Sequence, residues 1–166
     1  VPKKLFEAVE HFLLHKAKNP NSLHANDLRV LEVIAVVDGI PIKHNQLPTL
    51  HVLIGKGRKK VTPMLILFSK YVNSDPSKRD RLLGNSGSDG GIISGTLGYH
   101  IKLLKVLSQT CRGPATLEEV LCKPLISFRE LIEPLENGKK MIWELRSGLL
   151  QYLFDVFIDS DLAGDN

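Results

Sequence analysis

Apolar positions along this chain recur at intervals of three and four, the period of a helix buried on one side. Leu5, Val9, Phe12 and Leu13 fall at i, i+4, i+7 and i+8 and predict a first helix ending near Lys18. Asn19-Pro20-Asn21-Ser22 breaks that pattern. Leu28, Leu31, Ile34 and Ala35 make the next stripe, stopped at Asp38-Gly39 with Gly39 as its C-terminal cap. Ile40-Pro41-Ile42 reads as extended, because proline pushes its predecessor out of the helical region. A third helix is expected after Asn45, carrying Leu47, Leu50, Leu53 and Ile54. Pro48 fits it only in the first turn, where no intrahelical donor is lost.

Thr62-Pro63 reads as cap and first residue of a fourth helix over 62–71, although its apolar run at 64–68 would also suit a buried strand. Asp75-Pro76 opens a short charged helix over 78–83, and the glycines and serines of 84–95 predict a flexible loop. Beyond it, Leu97, Ile101, Leu104, Leu107 and Cys111 form a strong stripe. Thr116-x-x-Glu119 and Ser127-x-x-Glu130 are capping boxes, in which the hydroxyl accepts from the third amide while the carboxylate reaches back. Asn137-Gly138 marks the last turn, before a long C-terminal helix over Ile142, Leu145, Leu149, Leu153 and Val156. Eight or nine helices and no convincing sheet make an all-α chain. Short connectors and broad apolar faces predict one helical domain over 1–166, an armadillo-like α-solenoid fragment inferred without a fixed-period repeat. A fragment of such a stack leaves its end faces uncovered.

Composition narrows the class. Hydrophobic residues make up 43% and charged residues 24% of the 166, which excludes a disordered chain. No apolar run approaches the roughly 20 residues that cross a bilayer, so no direct membrane insertion of this segment is expected. The opening Val1-Pro2-Lys3-Lys4, with neither Met nor a leader pattern, reads as the start of a piece of something longer. The net charge of +4 is concentrated in residues 1–60, with 10 Lys/Arg against 5 Asp/Glu, and aromatics are only 6%. Nucleic-acid binders gather more positive charge on one element, with aromatics among it, so none is expected as partner.

Candidate chemistry is sparse. His11 and His15, at i and i+4, have a spacing able to hold zinc, but Phe12 stands where a metalloprotease helix needs Glu, and surface histidines are the expectation. The glycine-rich stretch from Gly84 to Gly91 lacks the Lys of a phosphate loop and the Gly-x-Ser-x-Gly of a nucleophile elbow. Lys56-Gly57-Arg58-Lys59-Lys60 puts four charges in five residues and is the one candidate contact, through Lys56, Arg58, Lys59 and Lys60, for an anionic headgroup, a phosphate or an acidic partner. Two cysteines, Cys111 and Cys122, are too few for a disulfide framework; one bridge is the most they allow, and buried reduced thiols are expected. Trp143 and Tyr152 read as packing anchors. No nucleophile, acid/base pair and stabiliser come together, so no enzyme, cofactor or metal is expected.

Several phrases carry a family resemblance. Leu97-Gly98-Tyr99-His100-Ile101-Lys102-Leu103-Leu104 with Leu107 to Cys111 resembles a segment of inositol trisphosphate receptors. Glu119-Val120-Leu121-Cys122-Lys123-Pro124-Leu125-Ile126, the helix from Glu144-Leu145-Arg146 to Asp161, Asp38-Gly39-x-Pro41-Ile42-Lys43, and Ser77-Lys78-Arg79-Asp80-Arg81 are similar to further phrases of that family in the same order. Together they cover about residues 28 to 162 and point to the helical regulatory module shared with ryanodine receptors. The glycine-rich insertion and the basic loop depart from the family pattern. The resemblance implies a non-catalytic armadillo segment between ligand-binding core and pore. Its setting would be a homotetrameric calcium-release channel, on the cytosolic face of the endoplasmic reticulum or a related calcium store. Its partners would be neighbouring domains and subunits. No ligand-binding or pore residue of the family matches a position here. The alternative is a free-standing helical-repeat scaffold that binds a protein partner.

Overall fold

The computed structural model describes residues 2–19, 22–55, 95–113, 116–137 and 141–159. The helices expected over 62–71 and 78–83, the basic loop and nearly all of the glycine-rich loop lie outside them. The described residues are mostly helical, with seven α-helices where the sequence led to eight or nine. These are α1 (Lys3–Lys16), α2 (Arg29–Ala35, entered through a 3-10 turn at Ala25–Leu28), α3 (Lys43–Ile54), α4 (Gly95–Thr110), α5 (Thr116–Cys122), α6 (Phe128–Asn137) and α7 (Trp143–Leu153). A π-helical turn, Phe154–Ile158, continues α7.

Helix α4 is the centre. It packs against α7 on one side and against the 3-10 turn, α2 and α3 on others. Tyr99, Leu103, Leu104, Val106 and Leu107 are buried, as are His100, Ser108, Gln109 and Thr110. Of the expected stripe, Leu97, Leu104, Leu107 and Cys111 are buried and Ile101 is half-buried, and burial runs nearly all round, because several elements meet α4. Gly148 of α7 lies close against α4: a Cβ there would sit 3.4 Å from Leu104 Cδ1. At its edge, Lys102 and Lys105 of α4 both reach Glu32 of α2 at 2.7 Å. Burial raises the Glu32 carboxyl, but the two lysines outweigh that and hold it below the ordinary value.

The C-terminus of α4 lies inside the molecule, where water cannot satisfy its last carbonyls. A side chain from α3 takes their place: Gln46 Nε2 donates to Gln109 O at 3.2 Å and to Arg112 O at 2.9 Å. Thr110 Oγ1 donates to Leu107 O at 2.7 Å. The neighbouring Asn45, expected just before α3, is within it and donates to Ile34 O of α2. Thus the buried side of α3 combines Leu50, Val52 and Leu53 with Asn45, Gln46 and Thr49.

Several expectations are corrected. Asp38-Gly39 is a hairpin turn rather than a helix stop. Val36–Val37 pairs antiparallel with Ile40–Pro41, and both turn residues have positive φ, 50° and 81°, as a two-residue type I′ turn requires. Pro48 is in the second turn of α3, since the helix begins at Lys43. It lines a surface groove beside exposed His44, so the carbonyl freed by its missing amide is on the wetter side. In α1 the core takes Phe6, Val9, Leu13 and the following Ala17, while Leu5 and Phe12 stay outside. The Ser127 box forms as expected: Ser127 N donates to Glu130 Oε2 at 2.8 Å, and Glu130 N donates to Ser127 Oγ at 3.3 Å. For the Thr116 box, the Thr116 side chain lies outside the described ones.

Replacing Gln46 by Leu keeps the volume and removes both donors, and is expected to lower unfolding stability by about 1–3 kcal/mol in urea denaturation. Gly39→Ala meets no neighbouring atom. Its expected loss of about 1–2 kcal/mol, read in the same way, comes from the left-handed backbone alone.

Candidate functional site

The basic residues Lys56, Arg58, Lys59 and Lys60 lie outside the described residues. His11 and His15 are exposed on α1. Among the described residues, no three His, Cys, Asp or Glu side chains are placed to hold a metal ion. Cys111 and Cys122 are buried and unbridged. Tyr152 is the packing anchor expected, its hydroxyl donating to Cys122 O at 2.8 Å, and burial pushes its phenol well above the ordinary value. Trp143 is not an anchor: it is 71% exposed, at the first residue of α7.

What the fold gathers instead is apolar surface. Trp143, Leu150, Phe154 and Ile158 recur at i, i+7, i+11 and i+15 along α7 and its π-helical turn, and all four are exposed. The opposite side of the same helix carries buried Leu145, Leu149, Tyr152 and Val156. Phe128 of α6, also exposed, stands edge-on to Phe157 with ring centroids 5.8 Å apart. This makes a helix with two apolar sides, of which the described elements pack against one and leave the other exposed.

A second apolar region lies on α1 and α2. A groove of about 380 Å³ runs between them, lined by Ala8, Val9, Phe12, Asn26, Asp27 and Val30. Phe12, 47% exposed, is one wall, and the Lys16 ammonium is 5.4 Å from its ring centroid. Lys16 also pairs with both oxygens of Asp27, at 2.8 and 2.9 Å. The Asp27 carboxylate accepts from His24 N at 2.8 Å as well, fixing the entry to the 3-10 turn. On the other flank of α1, a groove of about 310 Å³ brings Glu7 and Glu10 opposite His44 and His51 of α3. Sequence spacing could not have paired these, since they meet only once α1 and α3 pack.

Beside the end of α4, Asp155 is buried within the π-helical turn. It accepts from Gln151 Nε2 at 2.8 Å and faces Arg112 Nε at 3.4 Å. Desolvation raises its carboxyl above the ordinary value, although Gln151 and Arg112 act against it and Asp159 adds to it. Three further polar atoms in this interior, Thr49 Oγ1, Ser108 Oγ and Gln109 Oε1, have no hydrogen-bond partner among the described residues.

Set against protein-family models, curated proteins and solved structures, the chain finds no match in any of the three.

The raised Asp155 carboxyl means that the folded chain holds this proton more tightly than the unfolded one. The site therefore adds stability at pH below the ordinary carboxylate range and loses it as pH rises through the folded value. Asp155→Asn keeps an acceptor for Gln151 and removes the buried charge. It is expected to be at least as stable as the parent at pH 7, with the difference closing towards about pH 4 in thermal unfolding followed across pH.

Proposed function

We propose that this chain is a non-catalytic regulatory segment of an armadillo-like solenoid, one that passes conformational change between neighbouring domains. The observation that carries this reading is the uncovered apolar side of α7. Helices pack here around α4, which meets α7, α3, α2 and the 3-10 turn, with α1 on α3 and α6 on α7. The exposed stripe lies on α7 and the groove on α1 and α2. Stacked layers bury apolar surface on two sides, and a layer whose neighbour is missing keeps one side bare. Rotations at such joints add up along a stack, which suits it to relay rather than chemistry.

The phrases that resemble inositol trisphosphate receptors support a setting. In this reading the segment belongs to the cytosolic part of a homotetrameric calcium-release channel of an internal store membrane, and its partners are adjoining domains and subunits. It inserts no span of its own; none of the described helices is long and apolar enough to cross a membrane. A second reading, a free-standing scaffold, is favoured by the α1–α2 groove, whose apolar wall and Lys16–Asp27 rim would suit a peptide segment of a partner.

Trp143 is the chain's single tryptophan and stands in the stripe, so its fluorescence reports directly on coverage. Adding the adjoining segments of the parent reading frame, their own tryptophans replaced by phenylalanine, is expected to shift Trp143 emission to the blue and protect it from acrylamide. Unchanged emission and quenching would count against a neighbouring layer on α7. The isolated chain is expected to bind no inositol phosphate in calorimetry, and saturable binding would overturn the relay reading in favour of a ligand site.

A further inference from the structure

Charge is divided unevenly between the two parts of the chain. Residues 1–115 hold 17 Lys/Arg against 8 Asp/Glu, whereas residues 116–166 hold 5 against 10. The uncovered apolar stripe of α7 belongs to the acidic part: Trp143 is exposed with exposed Glu144 next to it, and Arg146 is turned to the Leu135 carbonyl of α6. The α1–α2 groove belongs to the basic part: exposed Lys4 stands one turn before Ala8, exposed Arg29 precedes Val30, and the Lys16 ammonium lies over the Phe12 ring. One surface is a protruding indole on an acidic part, the other an apolar hollow among bases. We propose that the two meet between copies of this chain, Trp143 of one copy entering the α1–α2 groove of the next.

The groove, at about 380 Å³, is within the size range of pockets that take a small aromatic group. Ala8, Val9, Phe12 and Val30 give the ring apolar walls, while Asn26 and Asp27 supply acceptors for its N–H. Asp27 is already paired with Lys16, so its charge is balanced within the groove. Leu150, Phe154 and Ile158 continue the exposed stripe beyond the indole and extend the contact along α7.

Charge selects this pairing over α7 on α7. Two copies meeting through their stripes set two acidic parts face to face, and like charges across a contact oppose it. Joining stripe to groove sets the acidic part of one copy on the basic part of another. Such a contact uses different surfaces on the two copies, so it repeats from copy to copy, into a ring or an open row. The two aromatic and two aliphatic side chains of the stripe expose on the order of 400 Å². With a similar area around the groove, the contact buries less than about 1,200 Å² in all, which is the weak class. Isolated copies therefore associate only at high concentration, whereas an assembly that holds copies side by side reaches millimolar effective concentrations. The proposal rests on the same bare side of α7 as the relay reading, with the next copy as its neighbouring layer.

The test uses the parent chain and two variants, Trp143→Ala, which removes the indole, and Ala8→Glu, which fills the groove and adds an acid there. Both positions are exposed and both new residues suit a helix, so the variants are expected to fold, as circular dichroism checks. In sedimentation velocity the parent is expected to grow beyond a monomer between about 5 and 500 μM, with Trp143 emission moving to the blue. Each variant alone is expected to stay a monomer. Their equimolar mixture is expected to stop at a dimer, since one copy keeps the groove and the other the indole. The Trp143→Ala chain has no tryptophan, so the blue shift on mixing comes from the Ala8→Glu copy alone. A parent that stays monomeric, either variant associating by itself, or a mixture of folded variants that stays monomeric would each overturn the proposal. The parent titration decides it even where a variant misfolds. Adjoining segments that shift Trp143 emission while isolated copies stay apart would leave the relay reading standing and remove this contact.

Discussion

Helix α4 ends in the interior, and its final carbonyls must be satisfied there. A carbonyl left bare in such a place costs about 1–3 kcal/mol, a large share of the stability of a domain this size. Gln46 answers for one of them, that of Gln109, and for the carbonyl of Arg112 just beyond the helix, and in doing so fixes the rotation of α3 against α4. That rotation places Leu50 and Leu53 in the core and Asn45 under the end of α2. It also decides which side of α3 meets α1, and hence which of the apolar sides of α1 turns inward. One buried helix end thus sets the arrangement of the N-terminal half.

The C-terminal half answers to the same helix from the other side. Gly148 lets α7 approach Leu104 closely, and Tyr152 reaches past α4 to the carbonyl of Cys122. The segment just after α4 therefore collects several polar contacts: Gln46 on the carbonyl of Arg112, Arg112 facing Asp155, and Thr110 Oγ1 beside the buried sulfur of Cys111. The helix reverts to a π-helical turn beside it, a geometry that displaces one residue and buries the Asp155 carboxylate next to Arg112. Apolar layers can slide by small amounts at little cost. A seam held by directional bonds slides less readily, because a displacement there leaves buried polar groups without partners.

The helical class was legible because period is a local property, and Leu97, Leu104 and Leu107 or Leu145, Leu149 and Val156 announce a buried side by spacing alone. Which side is buried is not local. Residues 5, 6, 9, 12 and 13 of α1 are all apolar and span a broad arc, and only packing on α3 selects Phe6 and Leu13 over Leu5 and Phe12. Gln46 and the carbonyls it caps are 63 and 66 residues apart, beyond any spacing rule. Asp38-Gly39 was different: the dipeptide is a strong hairpin signal, and the helix-stop reading gave it too little weight beside the preceding stripe. Of the candidate site, the basic residues from Lys56 to Lys60 fall outside the described structure. The exposed stripe was hidden because a large aromatic such as Trp143 is read from sequence as an anchor.

The pattern on α7 contains more information than its fold consumes. An outermost helix needs one apolar side, and the water-facing side is under no pressure to be anything but polar. Here that side carries Trp143, Leu150, Phe154 and Ile158, with Glu144, Arg146 and Ser147 among the other exposed residues of the helix. Each of these large side chains would gain on the order of 1 kcal/mol from completing its burial, and leaving them in water invites non-specific association. A sequence with apolar residues on opposite sides of a helix is that of an inner layer, whereas the position of α7 among the described elements is that of an outer one. The conflict disappears if another layer packs on α7, and the slender rim of charged residues then limits how that layer can be oriented. On this view the bonded seam at the end of α4 and the bare side of α7 are parts of one arrangement, because a seam that resists sliding passes on a displacement only when something rests against the helix that it moves.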